Sequence, residues 1–405
     1  MENPIYYNVT KKDCLLMIFL LSLCGNVFVS AYVPPYIYVL LVALFCFRLS
    51  LNRNYEKIID PSLVEGVKVL SLAYVFLFVL QYITFGWNTL PGLINHLAKL
   101  FVGFFFLALF GERFRGTLFN AMYYLSLISL PLWVFQFTTG HGIPGLEWKL
   151  GKTILVYSYR QTADIVRNCG FFWEPGAMGG YIVFTLLLFF NDLEALYKFN
   201  KKKCIVILLT LLSTQSSGAY VCFGMLIIVY LLFSMKSRLR YLLLPIVVIG
   251  GAYIYQNAEF LSQKIEHQNE EASEQKIGEF SSTRVGSLMF DLHYIQKHPL
   301  IGNGLHERTR LADHPYLVDM FKRGDVAAMG NGFTDQIAKW GGLYMVAFCF
   351  VFFRTNYSLE KKKKVCMLLL LALLLQGEAF MNFPLFLVFP LIRVDQTDSR
   401  FYFLT

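Results

Sequence analysis

Apolar residues in this chain come in runs separated by short polar breaks, from Leu15 almost to the C-terminus. Several runs reach the ~20 residues that span hydrocarbon. A bilayer offers backbone groups no partners, so each run must satisfy its own hydrogen bonds, which means helices. Twelve spans are predicted, at about 14–32, 36–48, 66–85, 97–110, 117–137, 176–191, 203–215, 218–234, 241–256, 331–353, 365–379 and 381–392. The expected fold class is all-α, a single polytopic membrane domain over residues 1–405.

Charge placement turns this pattern into a topology. Basic residues gather in the short connections: Lys11/Lys12, Arg48/Arg53/Lys57/Lys68, Arg113/Arg115, Lys198/Lys201–Lys203, Lys236/Arg238/Arg240, Arg354/Lys361–Lys364 and Arg393/Arg400. Positive loops stay inside, so both termini are expected in the cytoplasm. The same rule splits residues 204–234 at Ser213-Thr214-Gln215-Ser216-Ser217-Gly218, because basic clusters on both sides must share one face. It likewise splits 365–392 around Gly377, Glu378, Asn382 and Pro384. Lys11 and Lys12 before Leu15–Leu23 resemble a signal sequence, but no convincing cleavage site follows, so the run is read as an uncleaved first helix.

Composition agrees: 56% of residues are hydrophobic and only 16% charged. The net charge of +9 follows from the loop lysines and arginines, not from a nucleic-acid surface. Eight cysteines include no CxxC pair and read as small core residues, neither disulfides nor a zinc site.

Two sizeable outer loops remain, at about 138–175 and about 257–330. Their basic residues lie against the topological bias: Lys149, Lys152, Arg160 and Arg167 in the first, then Arg284, Lys297, Arg308, Arg310, Lys322 and Arg323 in the second. A solvated face accounts for any one of them, whereas the set asks for an anionic partner. Carboxylates from Glu266 to Glu279 form a solvated rim with no accompanying histidine cluster, so no metal and no cofactor is expected.

The stretch Arg167–Gly180, RNCGFFWEPGAMGG, ends the first loop. Pro175 suits a first helical turn, which makes Glu174 the capping residue of the next span. In one reading Glu174 is a cap with Arg167 as its partner. In the other it is a general base at the membrane boundary, with Arg167 binding an anion and the glycines admitting a close approach. Phe171, Phe172 and Trp173 either stack on a sugar or anchor at the interface. In the second loop a helix is expected from Ser282, with Arg284, Leu288, Asp291 and Ile295 on one face. His298-Pro299 ends it and Gly302/Gly304 turn the chain; His306, Arg308, Arg310 and His314 follow.

Arg167, Gly170 and Phe172–Gly176 before a span, the small polar break Ser213–Gly218, then Arg284, Asp291 and His298-Pro299-Leu300-Ile301-Gly302-Asn303-Gly304 in a late outer loop, form an ordered set. In layout, over about 65–390, the chain resembles the O-antigen polymerase (Wzy-type) and O-antigen ligase superfamily. That resemblance implies a GT-C-like integral glycosyltransferase of the bacterial inner membrane. Its substrate would be a glycan on undecaprenyl diphosphate, used at the periplasmic face. It further implies that Arg160, Arg167, Arg284, Arg308 and Arg310 hold the diphosphate. Trp173, Asp291 and His314 would meet the glycan, and Glu174 or His298 would activate the acceptor hydroxyl. Membrane lipid and a chain-length co-polymerase are the partners such an enzyme would have.

One departure separates the branches. The ligase branch resembles a pattern of His, Asn/Ser/Gln, nine residues, Gly, two residues, then Gly/Thr/Tyr. Here Asn331, Gly341 and Tyr344 fit it, but Gly330 occupies the histidine position. Polymerase is therefore favoured over ligase. A lipid-linked oligosaccharide flippase is the alternative from another class. Transporters keep ionisable groups deep within their helices, and here Lys99, Asp335, Lys339 and Glu378 all lie near predicted boundaries.

Overall fold

The computed structural model describes residues 9–51, 60–148, 151–160, 166–235, 237–257, 284–311, 313–314, 316–318 and 331–394. The acidic stretch Glu266–Glu279, together with Ser282, Lys149, Lys322, Arg323 and Gly330, falls outside them. The described chain is mostly helical. Its helices are α1 (Lys11–Leu23), α2 (Val27–Tyr32), α3 (Ile37–Leu51), α4 (Pro61–Phe85), α5 (Leu90–Phe110), α6 (Phe114–Thr139), α7 (Pro175–Leu187), α8 (Leu193–Ser213), α9 (Ser217–Phe233) and α10 (Arg240–Asn257). They continue with α11 (Arg284–Lys297), α12 (Glu307–Arg310), α13 (Gly332–Thr355), α14 (Lys361–Gln376) and α15 (Pro384–Leu387). Among the described residues, three stretches are long and apolar enough to cross a membrane: Pro61–Phe85, Leu90–Thr139, in which the 3-10 turn Gly111–Arg113 joins α5 to α6, and Gly332–Thr355.

Two expectations need correction. The first predicted span is not one helix: α1 stops at Leu23, and Asn26 caps the separate α2. Asn26 is diverted into tertiary bonds, its Nδ2 donating to the carbonyls of Leu155 and Phe171. Residues 381–392 form no continuous helix either. They run as a 3-10 turn Phe380–Asn382, the single turn α15 and a second 3-10 turn Phe389–Leu391, almost all buried. Pro384 and Pro390 each remove a backbone donor and preclude an unbroken ladder. The mostly helical chain fits the expected all-α class, with one small sheet besides. The first outer loop carries a three-stranded antiparallel meander, β1 (Leu146–Trp148), β2 (Gly151–Ile154) and β3 (Tyr157–Arg160), paired Leu146 to Thr153 and Thr153 to Ser158. Thr153, Ile154, Tyr157 and Tyr159 are β-branched or aromatic, suited to a pleated surface.

Helix α7 is apolar on every side, and twelve of its thirteen residues, all but Gly176, are buried. A helix of that kind has to be enclosed, and α6, α8, α9 and α14 surround it. Alongside, α4 and α13 pack antiparallel, with Glu65 meeting Arg354 at one end. Midway the Tyr74 hydroxyl bonds that of Tyr344 at 2.7 Å. Toward the other end Gln81 donates to the Lys339 carbonyl at 2.8 Å.

The expected turn after His298 locks into this pair. At Gly341 α13 leaves helical geometry, with φ +76°. Gly342 N–H then donates to the Pro299 carbonyl at 2.7 Å and Leu343 N–H to Leu300 at 3.1 Å. A Cβ on Gly341 would collide with the Leu300 carbonyl, so only glycine admits the loop.

Candidate functional site

Enclosure of α7 places its N-terminal residue, Glu174, inside the protein at one end of the bundle. Glu174 has the extended backbone of an N-cap, but its carboxylate makes no capping bond. It accepts instead from Arg284 Nη2 at 3.3 Å. The same Nη2 donates to Glu378 Oε1 at 2.5 Å. One guanidinium therefore lies between carboxylates from α7 and from the end of α14, all three side chains at most about one-third exposed.

Each arm is fixed by its own backbone. Arg284 opens α11, and its carbonyl accepts from Asn331 Nδ2 at 2.9 Å. Glu378 follows the end of α14, and its carbonyl accepts from Gly332 N–H at 3.1 Å. Close approach of Glu378 to α7 depends on Gly176, where a Cβ would lie 2.5 Å from Glu378 Oε1.

Arg167 arrives from the strand side. Its Nε donates to the Thr214 carbonyl at 3.2 Å and its Nη2 to that of Gln215 at 2.8 Å. Asn168 bonds Ser213 through both its backbone and its side chain. The break Ser213–Gly218 is thus a cradle for Arg167-Asn168, and it ends where Ser216 caps α9. A cavity of about 260 Å³ lies between these parts, lined by Arg167, Glu174, Arg284 and Glu378 and by Ser216–Ala219 at the start of α9. Two arginines and the positive ends of two helix dipoles face one space, an arrangement suited to an anion.

The structure brings Arg167, Glu174 and Arg284 together; the other candidate residues lie elsewhere. Arg160 ends β3, and its side chain falls outside the description. Trp173 is half-buried against Phe380 and Phe383, with ring centres 6.1 and 5.2 Å apart, so it packs rather than presenting an open face. His298 follows the far end of α11, about 20 Å along the axis from Arg284. It rests edge-on to Phe85, and partial burial beside Lys297 holds its imidazole below the ordinary value. Arg308 lies over the Trp87 ring at 4.2 Å.

Arg310, Asp291 and His314 form a separate centre beneath the second loop. Arg310 Nη2 donates to Asp291 at 2.6 Å and to Asp335 at 3.2 Å, all three side chains essentially buried. Thr334 donates to Asp291, and Lys339 pairs with Asp335 one helical turn away. Burial pushes the Asp291 carboxyl up to about 6; Asp335 adds to the rise and Arg310 opposes it. His314 Nδ1 meets the Tyr294 hydroxyl at 3.1 Å. This centre ties α11 and α12 to α13, so it fixes the helix that carries Arg284.

Glu378 is the site residue that sequence reasoning missed. An acid interrupting an apolar run is a functional candidate in its own right, and Gln376-Gly377-Glu378 was such an interruption. No group of three His, Cys, Asp or Glu residues placed to hold a metal occurs among the described residues. Comparison with models of known protein families finds no match, and comparison with curated proteins finds none.

Proposed function

We propose that the chain is a membrane glycosyltransferase that polymerises undecaprenyl-diphosphate-linked repeat units into O-antigen or capsular polysaccharide at the periplasmic face. The observation that carries this reading is that Arg167, Arg284, Glu174 and Glu378 line one cavity. It supports the resemblance in the ordered motifs, because residues from three separate motifs meet there. In this reading the twelve apolar segments supply the crossings of the inner membrane, with both termini cytoplasmic. The last segment does so as irregular chain, which a bilayer tolerates only where protein surrounds it.

The diphosphate of the growing chain binds Arg167 and Arg284, since a guanidinium presents paired donors to phosphate oxygens. Phosphate then competes with Glu174 and Glu378 for Arg284. A carboxylate that loses this guanidinium becomes the stronger proton acceptor. It takes the proton of the incoming sugar hydroxyl, whose oxygen attacks the anomeric carbon. The bond from that carbon to the diphosphate breaks, and undecaprenyl diphosphate leaves with its developing charge held by the arginines.

The test is complementation of a strain lacking the gene, with glycans resolved by electrophoresis. Arg167→Ala, Arg284→Ala and Glu378→Gln, each confirmed in the membrane, are expected to leave single-repeat lipopolysaccharide. Normal ladders from all three would refute the assignment. In the deletion itself, loss of all attached glycan would indicate a ligase, and accumulation on the inner leaflet a flippase.

A further inference from the structure

A second cavity, of about 290 Å³, lies at the other end of the α4–α13 pair. The 24 residues of α13 put roughly 36 Å of helix between it and the cavity at Glu378. It lies where α4 begins and α13 ends, and Arg354 and Arg393 project into its lining. Both arginines have carboxylate partners, Arg354 with Glu65 at 2.6 Å and Arg393 with Asp60 at 3.0 Å. Arg393 also donates to the Ser62 hydroxyl at 3.1 Å, and its Nε is buried with no partner among the described residues.

Two stripes of exposed apolar side chains run away from this cavity. Val69 in its lining is followed along one face of α4 by Leu72, Phe76 and Val79, and Phe350 is preceded on α13 by Val346. A lysine run, Lys361–Lys364, begins four residues after Tyr357 of the lining, and Lys364 Nζ donates to the Tyr357 carbonyl at 3.4 Å. Guanidinium donors at a rim, apolar lanes leading from it and lysines nearby match an amphiphile with an anionic phosphate head. Basic pockets between spans on the cytoplasmic side recognise phospholipid headgroups on this principle.

We infer that this cavity seats the phosphodiester of an anionic phospholipid, with Arg354 and Arg393 on the phosphate and an acyl chain along Val69, Leu72 and Phe76. The inference does not depend on the reaction proposed above. Glu65 is then a competitor, because it occupies the guanidinium that the phosphate needs. The side chains of Arg354 and Glu65 are 57% and 52% exposed, so both can be replaced without leaving a buried charge.

The experiment is thermal unfolding of the full chain, purified in a neutral detergent and titrated with dioctanoyl-phosphatidylglycerol. Dioctanoyl-phosphatidylcholine and inorganic phosphate serve as parallel probes. Phosphatidylglycerol is expected to raise the midpoint saturably, the other two not. Arg354→Ala is expected to raise the half-saturating concentration at least tenfold, and Glu65→Gln to lower it. An equal response to phosphatidylcholine would overturn the inference. So would reproduction of the shift by phosphate alone, which would assign a free-anion site, or a Glu65→Gln response that is unchanged or weaker.

Discussion

Arg284 and Glu378 stand 94 residues apart in the chain and 2.5 Å apart in space, on a nitrogen that Glu174 also approaches. A shared guanidinium couples the two acids, so their substitutions should not act independently. Glu378→Gln keeps the shape and removes the charge; a loss of polymer of about a hundredfold or more is expected, typical of removing an acid–base group. Glu174→Gln should behave likewise. The double variant should lose less than the product of the single losses, because residues acting through one partner are non-additive. Ladder intensity at matched membrane levels measures all three, and fully multiplicative losses would contradict the shared role.

Gly341 predicts a stability effect far from the cavity. A side chain there meets the Leu300 carbonyl and a strained backbone together. Gly341→Ala should destabilise by roughly 2–4 kcal/mol, in the range of backbone-level defects. Gly342→Ala, where the nearest atom is the Pro299 carbonyl at 3.2 Å, should cost less. Thermal unfolding of the two variants in detergent checks the order.

The buried centre at Arg310 makes two predictions. Arg310→Met leaves Asp291 and Asp335 facing each other without their guanidinium and should cost about 3–5 kcal/mol, the usual penalty for breaking a buried pair. The second concerns pH. The folded protein holds the Asp291 proton more tightly than the unfolded chain does, at about 6 against an ordinary 3.8. Its contribution is therefore fully present below the lower value and is lost as pH rises toward 6. Asp291→Asn should remove that slope from the unfolding midpoint measured across the window.

Trp173 separates packing from sugar binding. Its ring fills space against Phe380 and Phe383. Trp173→Ala should cost about 3–5 kcal/mol, whereas Trp173→Phe should retain both polymer and stability. Loss of polymer in a well-folded Trp173→Phe protein would restore a direct role on the glycan.

The helices were legible because hydropathy and basic clusters both report on the bilayer. The same signal gave 381–392 as one helix, since hydropathy does not register that Pro384 and Pro390 break the ladder. The strands at 146–160 went unseen because they are too short to show a clear alternation. In the site, Arg167, Glu174 and Arg284 were legible as charges held against expectation. Their sorting was not: Arg310 carries the same outward signature as Arg284 yet is consumed by Asp291 and Asp335. Only the fold shows which guanidinium faces a cavity and which is sealed within a network.

Asn331 and Gly332 hold the two halves of the central ion pair, one through the Arg284 carbonyl and the other through that of Glu378. Donor and acceptor therefore hang from one hook, the leading edge of α13. A substitution that displaced that edge would therefore shift both ions together relative to Glu174 on the enclosed helix.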